Sequence, residues 1–127
     1  MLDVVNSTAI TSSLASEDKI RKFYSVFVNS LSPVISHFGG RVLKTGGDSI
    51  IYYFPNTSEV ECIDGFRDVL ECGLSLLELR STVNFIYESE GILPIGYRIS
   101  ADYGRLELAD SKFSRDQDIF GPTMNLC

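Results

Sequence analysis

A glycine pair set between two runs of strand-forming residues constrains this chain more than any other feature. Arg41-Val42-Leu43-Lys44 and Ile50-Ile51-Tyr52-Tyr53-Phe54 flank Gly46-Gly47. Glycine accepts the positive φ of a tight turn without steric cost, so the pattern reads as a β-hairpin. A hairpin fixes its strands as antiparallel neighbours, and the sheet is expected to be mostly antiparallel.

The periodicity on either side of the hairpin is helical. Ile20, Phe23, Tyr24, Phe27, Leu31, Val34, Ile35 and Phe38 recur at three- and four-residue steps across residues 16–38. Ser16 is placed to cap this helix, with Glu17 and Asp18 in its first turn. Ser32-Pro33 is expected to kink or split it, and Gly39-Gly40 to end it. Beyond the hairpin, Pro55-Asn56-Thr57 breaks the strand and Ser58 can cap a second helix running to about Ser81. Its stripe is expected to hold Cys62, Phe66, Val69, Leu70, Leu74 and Leu77, extending to Val83, and residues 84–92 read as a connection. Residues 1–5 read as a short strand, and Ile95, Tyr97, Ile99 and Ala101 alternate as one with a single buried face. Arg105 to Ala109 reads as a further strand, and Pro122-Thr123-Met124-Asn125 as the opening of another helix. The order is β, α, β, β, α, β, β and the start of an α. The fold class expected is α/β (α+β), a ferredoxin-like sheet backed by helices, in one domain spanning residues 1–127.

Composition narrows the function. A net charge of −6 argues against a broad nucleic-acid or anionic-membrane surface, which needs clustered Lys and Arg. No apolar run approaches the roughly 20 residues of a membrane span, and no signal peptide is evident, so the cytoplasm is the expected location. Cys62, Cys72 and Cys127 lack a zinc or disulfide spacing and read as small hydrophobes.

Two aspartates stand out against this background. Asp3 lies in Met1-Leu2-Asp3-Val4-Val5 and is followed by the small polar turn Asn6-Ser7-Thr8; Asp48 follows the glycine pair. Both neighbourhoods read as buried strands, where a bare carboxylate costs several kcal/mol unless a cation meets it. A divalent-metal site is therefore one reading, and a strand-end residue beside a hairpin cap is the other. Lys44 alone reads as a solvated hairpin lysine, Asp118 alone as a loop or capping residue, and His37 as a solvated residue in a helix's last turn.

Four segments together resemble the catalytic domain of the class III nucleotidyl cyclases, the adenylate and guanylate cyclases. Leu2-Asp3-Val4-Val5-Asn6-Ser7-Thr8 is similar to the family's first metal motif, and Gly39-Gly40-Arg41-Val42-Leu43-Lys44-Thr45-Gly46-Gly47-Asp48-Ser49 to its second. Arg98-Ile99-Ser100-Ala101-Asp102-Tyr103-Gly104 resembles R-I-G-I-H-x-G. Asp118-Ile119-Phe120-Gly121-Pro122-Thr123-Met124-Asn125 resembles D-x-[WFY]-G-x-x-[VM]-N.

The resemblance implies conversion of ATP to cyclic AMP and pyrophosphate, assisted by two divalent cations, Mg²⁺ or Mn²⁺. It implies that Asp3 and Asp48 hold the metals with the Val4 carbonyl, and that backbone N–H groups of Asn6, Ser7 and Thr8 bind phosphates. Lys44 and Asp118 would read the base as adenine, Asn125 would position the ribose, and the site would form in a head-to-tail homodimer or with a paralogous cyclase domain. Competing expectations are a non-catalytic nucleotide-binding or dimerisation module of the same fold, a guanylate cyclase, and a diguanylate cyclase prompted by Gly46-Gly47-Asp48. Asn6-Ser7 stands where the family usually has Gly-Phe. Only Met1 and Leu2 precede the first Asp, and the chain stops two residues past Asn125. The family's transition-state Arg and phosphate-binding Lys would fall later. The expectation is a domain incomplete at both ends, and weak activity or none.

Overall fold

The computed structural model describes residues 1–59, 61–110 and 117–120 of the chain. Strand β1 (Leu2–Val4) is followed by helices α1 (Ser7–Ser13) and α2 (Glu17–His37), then by the hairpin β2 (Arg41–Thr45) and β3 (Ser49–Tyr53). A short 3₁₀ turn at Pro55–Thr57 leads to α3 (Ile63–Ser89), β4 (Tyr97–Ile99), β5 (Glu107–Asp110) and β6 (Gln117–Phe120). The main sheet has the order β2-β3-β1-β4, each neighbouring pair antiparallel. That is the expected ferredoxin-like arrangement; β5 and β6 form a separate antiparallel pair.

The hairpin forms as its sequence dictates. Gly47 takes φ +85°, and the Gly46 N–H donates to the Ser49 carbonyl at 2.9 Å. A Cβ at Gly47 would stand 3.1 Å from the Tyr24 ring, so α2 also presses on this turn. Val42 pairs with Tyr52 but Lys44 with Ile51, which leaves a bulge at Leu43.

Helix α2 begins where Ser16 accepts the Lys19 N–H at 3.3 Å, and buries Phe23, Phe27, Leu31 and Ile35 completely. It runs unbroken through Pro33, so the expected split is absent. The missing proline N–H falls near the helix's end, and Leu31 and Ile35 anchor the turns on both sides. At the end, Gly39 at φ +81° lets the Gly40 N–H reach back to the Ile35 carbonyl at 2.9 Å, a Schellman closure.

Three other expectations need correction. Residues 7–13, whose sequence signals only a small polar turn, form helix α1. Helix α3 starts at Ile63 rather than at a Ser58 cap, because Pro55–Thr57 winds into the 3₁₀ turn first. It continues to Ser89 through the residues read as a connection, held there by fully buried Val83 and Tyr87. The Asn84 side chain donates to the Ile95 carbonyl at 3.0 Å and accepts its N–H at 2.8 Å, so it acts as a bridge ahead of β4.

The third correction concerns which side of α3 is inside. Gly65, Cys72, Leu76, Val83 and Tyr87 are buried, while Leu70, Leu74 and Leu77 remain 70%, 64% and 52% exposed. This helix carries two apolar stripes, and periodicity alone does not rank them. The inward stripe packs into the apolar core and is also tied by polar contacts: Tyr97 on β4 donates its hydroxyl to the Leu76 carbonyl, and Tyr87 donates to the Phe23 carbonyl at 2.7 Å. Tyr87 also stacks on Phe23 with ring centroids 5.4 Å apart. The outward stripe borders an open apolar groove with Leu43, Ile51 and Phe54.

Candidate functional site

Alternation along β1 separates fold from chemistry. Leu2 and Val4 point into the core at 0% and 3% exposure, so Asp3 between them faces the other side of the sheet. The strand register sets Asp3 opposite Ser49 on β3 and opposite Arg98 on β4. The Val4 N–H donates to the Asp48 carbonyl at 2.9 Å, which fixes Asp48 beside the same stretch of β1. Residues 45 positions apart in sequence thus lie side by side, Asp3 on β1 and Asp48 in the turn that enters β3.

Among the described residues, each carboxylate has a side-chain partner of its own. The Arg98 guanidinium donates to Asp3 Oδ2 at 2.9 Å, and the Ser7 hydroxyl donates to Asp48 Oδ2 at 2.5 Å. Both aspartates are half-buried rather than buried, and the core contains no charged residue among those described. The expectation of two carboxylates in apolar surroundings is therefore corrected. Both segments are strand and turn as read, but the side chains emerge on the polar face.

Asn6 adopts φ 57°, ψ 35°, an uncommon left-handed conformation for a residue with a side chain. That bend turns the chain from β1 straight into α1. The Ile10 N–H to Asn6 carbonyl bond at 3.1 Å is the first of the helix, so the N–H groups of Ser7 and Thr8 have no intrahelical acceptor. The Ser7 hydroxyl ties this turn to Asp48.

The donor chemistry fits a hard divalent cation: one carboxylate on β1 and one in the adjoining hairpin turn, each with oxygen lone pairs left to offer. It is a partial set. Among the described residues no group of three or more His, Cys, Asp or Glu side chains could hold a metal. Further ligands would have to come from backbone carbonyls such as that of Val4, from water and from substrate oxygens.

Lys44 is exposed on β2, an edge strand of the main sheet. Asp118 lies on β6 in register with Ala109, and β6 approaches β2. The strands carrying the two expected base-reading residues are therefore neighbours. Asn125 and the helix expected at Pro122 lie outside the described residues, as does Cys127. Of the other cysteines, Cys72 is a core residue as expected, and Cys62 is half-buried at the start of α3. His37 is exposed in the last turn of α2, also as expected.

Within the core, burial shifts three ionisations. Burial pushes the Cys72 thiol up to about 11. Burial likewise raises the Tyr87 phenol, and pushes Tyr97 up to about 12 against the opposing charge of Arg80.

Sequence reasoning overlooked Arg98 and Ser7 as side chains of the site. A signal for Arg98 was present: it alternates with inward-facing Tyr97 and Ile99, so it must share the sheet face that carries Asp3. The Ser7 contact depends on α1, which was not anticipated.

The chain is similar to known nucleotidyl cyclases. A "Cytidylate cyclase" of Staphylococcus aureus is 26% identical over 105 residues, covering 81% of this chain and 24% of that protein. Among solved structures, a guanylyl cyclase superposes with TM-score 0.83 at 20% identity, covering 98% of this chain and 63% of the other. The adenylyl cyclase CyaB from P. aeruginosa gives TM-score 0.73 at 20% identity over 98% and 65% of the two chains. A bacterial light-regulated adenylyl cyclase gives 0.63 at 20% identity, with 35% of its chain covered. The chain thus spans about a quarter of the curated relative and under two thirds of these structures. No protein-family model matches it. Its fold is the one expected from the sequence, that of the class III nucleotidyl cyclases. No helix among the described residues is long and apolar enough to cross a membrane.

Proposed function

We propose that this chain is the core of an adenylate cyclase domain, forming cyclic AMP and pyrophosphate from ATP. The observation that carries the reading is the placement of Asp3 on β1 beside Asp48 in the turn that enters β3, off the core, in a fold shared with cyclases. In this reading the two carboxylates and the Val4 carbonyl hold two divalent cations, Mg²⁺ or Mn²⁺. When bound, such ions acidify the ribose 3′-hydroxyl and offset charge on the departing pyrophosphate. The backbone of Asn6, Ser7 and Thr8 directs N–H donors at the phosphates from the turn into α1. Asn125 orients the ribose.

Lys44 and Asp118 supply one donor and one acceptor for the base. Adenine presents an acceptor at N1 and a donor at its exocyclic amine, which suits that pair, whereas guanine presents the reverse. The head-to-tail dimer implied by the family resemblance would join these groups to the aspartates of a second copy.

Cytosine shows the same ring acceptor beside an exocyclic amine. A second reading, conversion of CTP, is favoured by the relative named a cytidylate cyclase.

The test is to incubate the protein with Mn²⁺ and ATP, GTP or CTP, following nucleotide binding by calorimetry and cyclic product by mass spectrometry. Mn²⁺-dependent binding of ATP is expected, with weak cyclic AMP formation at most, and Asp48→Asn should remove the Mn²⁺ dependence of that binding while the fold survives. Cyclic CMP instead would shift the assignment to the second reading. Neither binding nor product with any nucleotide would leave only the fold in common.

A further inference from the structure

We propose that Arg98 is a resident counter-cation that competes with the divalent metal for Asp3, so that the metal must displace a guanidinium to use both carboxylates. The inference rests on the reading of Asp3 and Asp48 as metal ligands.

The two acids are held in different ways. Asp48 accepts from the neutral Ser7 hydroxyl at 2.5 Å, and a hydroxyl can rotate away or turn its own lone pairs toward a cation. Asp3 accepts at 2.9 Å from Arg98, a permanent positive charge with no acceptor to offer. A divalent ion reaching Asp3 Oδ2 meets that charge at close range, in a partly shielded site where the Asp3 side chain is only 32% exposed. The strand pairing prevents retreat at the backbone, because Arg98 is locked in register with Asp3 across β1 and β4. Its side chain, however, is 73% exposed and can swing into water. An ion pair of this kind is weak and displaceable. The arrangement therefore lowers affinity for free cations without abolishing it. Arg98 acts here as a positioning residue, setting the charge felt at Asp3.

The experiment measures Mn²⁺ binding without nucleotide, from the electron paramagnetic resonance signal of the free ion. The wild type is compared with Arg98→Gln, Arg98→Met and Arg98→Lys, with circular dichroism checking the fold of each. Arg98→Gln and Arg98→Met are expected to bind Mn²⁺ about three- to tenfold more tightly, because a charge that opposed the ion is gone. Arg98→Lys, which keeps the charge, is expected to stay near wild type. A purely structural role predicts the opposite, weaker binding in all three. Unchanged or weaker binding in folded Arg98→Gln and Arg98→Met overturns the inference, and so does Arg98→Lys behaving like Arg98→Gln. Mn²⁺ binding to none of the four proteins, even with ATP added, overturns the metal reading itself together with this inference.

Discussion

The two sides of the four-stranded sheet are built from alternate residues of the same strands, yet they answer to different physics. The inner side collects Leu2, Val4, Ile50 and Tyr97 against α2 and α3, all nearly inaccessible. The outer side collects Asp3, Ser49 and Arg98 at the same registers, where charge meets solvent. A one-residue slip in β1 would exchange the two sets, burying a carboxylate and exposing two apolar side chains. Packing on one side thus specifies the register, and the register places the polar groups on the other. The chemistry inherits its geometry from the core without sharing its environment.

The harshest way to break that dependence is Phe27→Ala. Phe27 is fully buried and meets the Tyr97 ring edge-on at 6.2 Å, while Tyr97 lies opposite Val4, whose N–H ties down Asp48. Removing the ring should cost about 3–5 kcal/mol, read from urea unfolding. Because the polar side depends on this core, nucleotide and Mn²⁺ binding should fall with the folded fraction. Retention of site properties after loss of cooperative unfolding would show that the outer side does not need the inner one.

A gentler probe uses alkali, which acts on the inner side through the buried thiol and phenols there. The Cys72 thiol is pushed from 9.0 up to about 11 by burial, so in the unfolded chain it ionises first. Between those values the unfolded state binds fewer protons than the folded one, and stability therefore falls as pH rises. The stability is fully present below about pH 9 and is lost progressively toward pH 11, on the order of 2 kcal/mol. Tyr97, pushed up to about 12, and Tyr87 extend the decline from about pH 10 upward. Urea titrations from pH 8 to 11 should show this slope, and Cys72→Ala should flatten its lower part. An unchanged slope in that variant would assign the alkaline loss to other groups.

What the sequence disclosed obeys the same division. The hairpin, the Ser16 cap, the Gly39-Gly40 stop and the inward face of α2 were legible because glycine, capping hydroxyls and a lone apolar stripe each have one local solution. The neighbourhood of Asp3 and Asp48 was legible as two motifs, although its polarity was misjudged. An apolar stretch of sequence names a strand but not which face each of its residues takes. The inward face of helix α3 is not legible locally because Leu70, Leu74 and Leu77 compose as good a stripe as Cys72 and Leu76, and the buried stripe is the one with long-range partners such as Tyr97 and Phe23. Helix α1 was overlooked because Ser7-Thr8-Ala9-Ile10-Thr11-Ser12-Ser13 has weak helix formers and contributes no buried residue. Pro33 was over-weighted, since a proline rule applied locally ignores the anchoring of the turns around it.

The smallest expected effect is also the sharpest discriminator within the outer side. Ser7→Ala removes the hydroxyl that donates to Asp48 at 2.5 Å, in a spot where both residues are half-buried and water can replace it. Stability should fall by less than about 1 kcal/mol, since the lost bond is exchanged for one to solvent. Mn²⁺ affinity should change by no more than about twofold, because a neutral donor leaves the charge at the carboxylate pair as it was. Arg98→Gln changes that charge by a full unit, and so the two substitutions separate hydrogen bonding from electrostatics at two acids a strand apart. Equal shifts in both variants would mean that Asp3 and Asp48 respond to the loss of any donor, and the difference between a charged and an uncharged partner would carry no weight at this site.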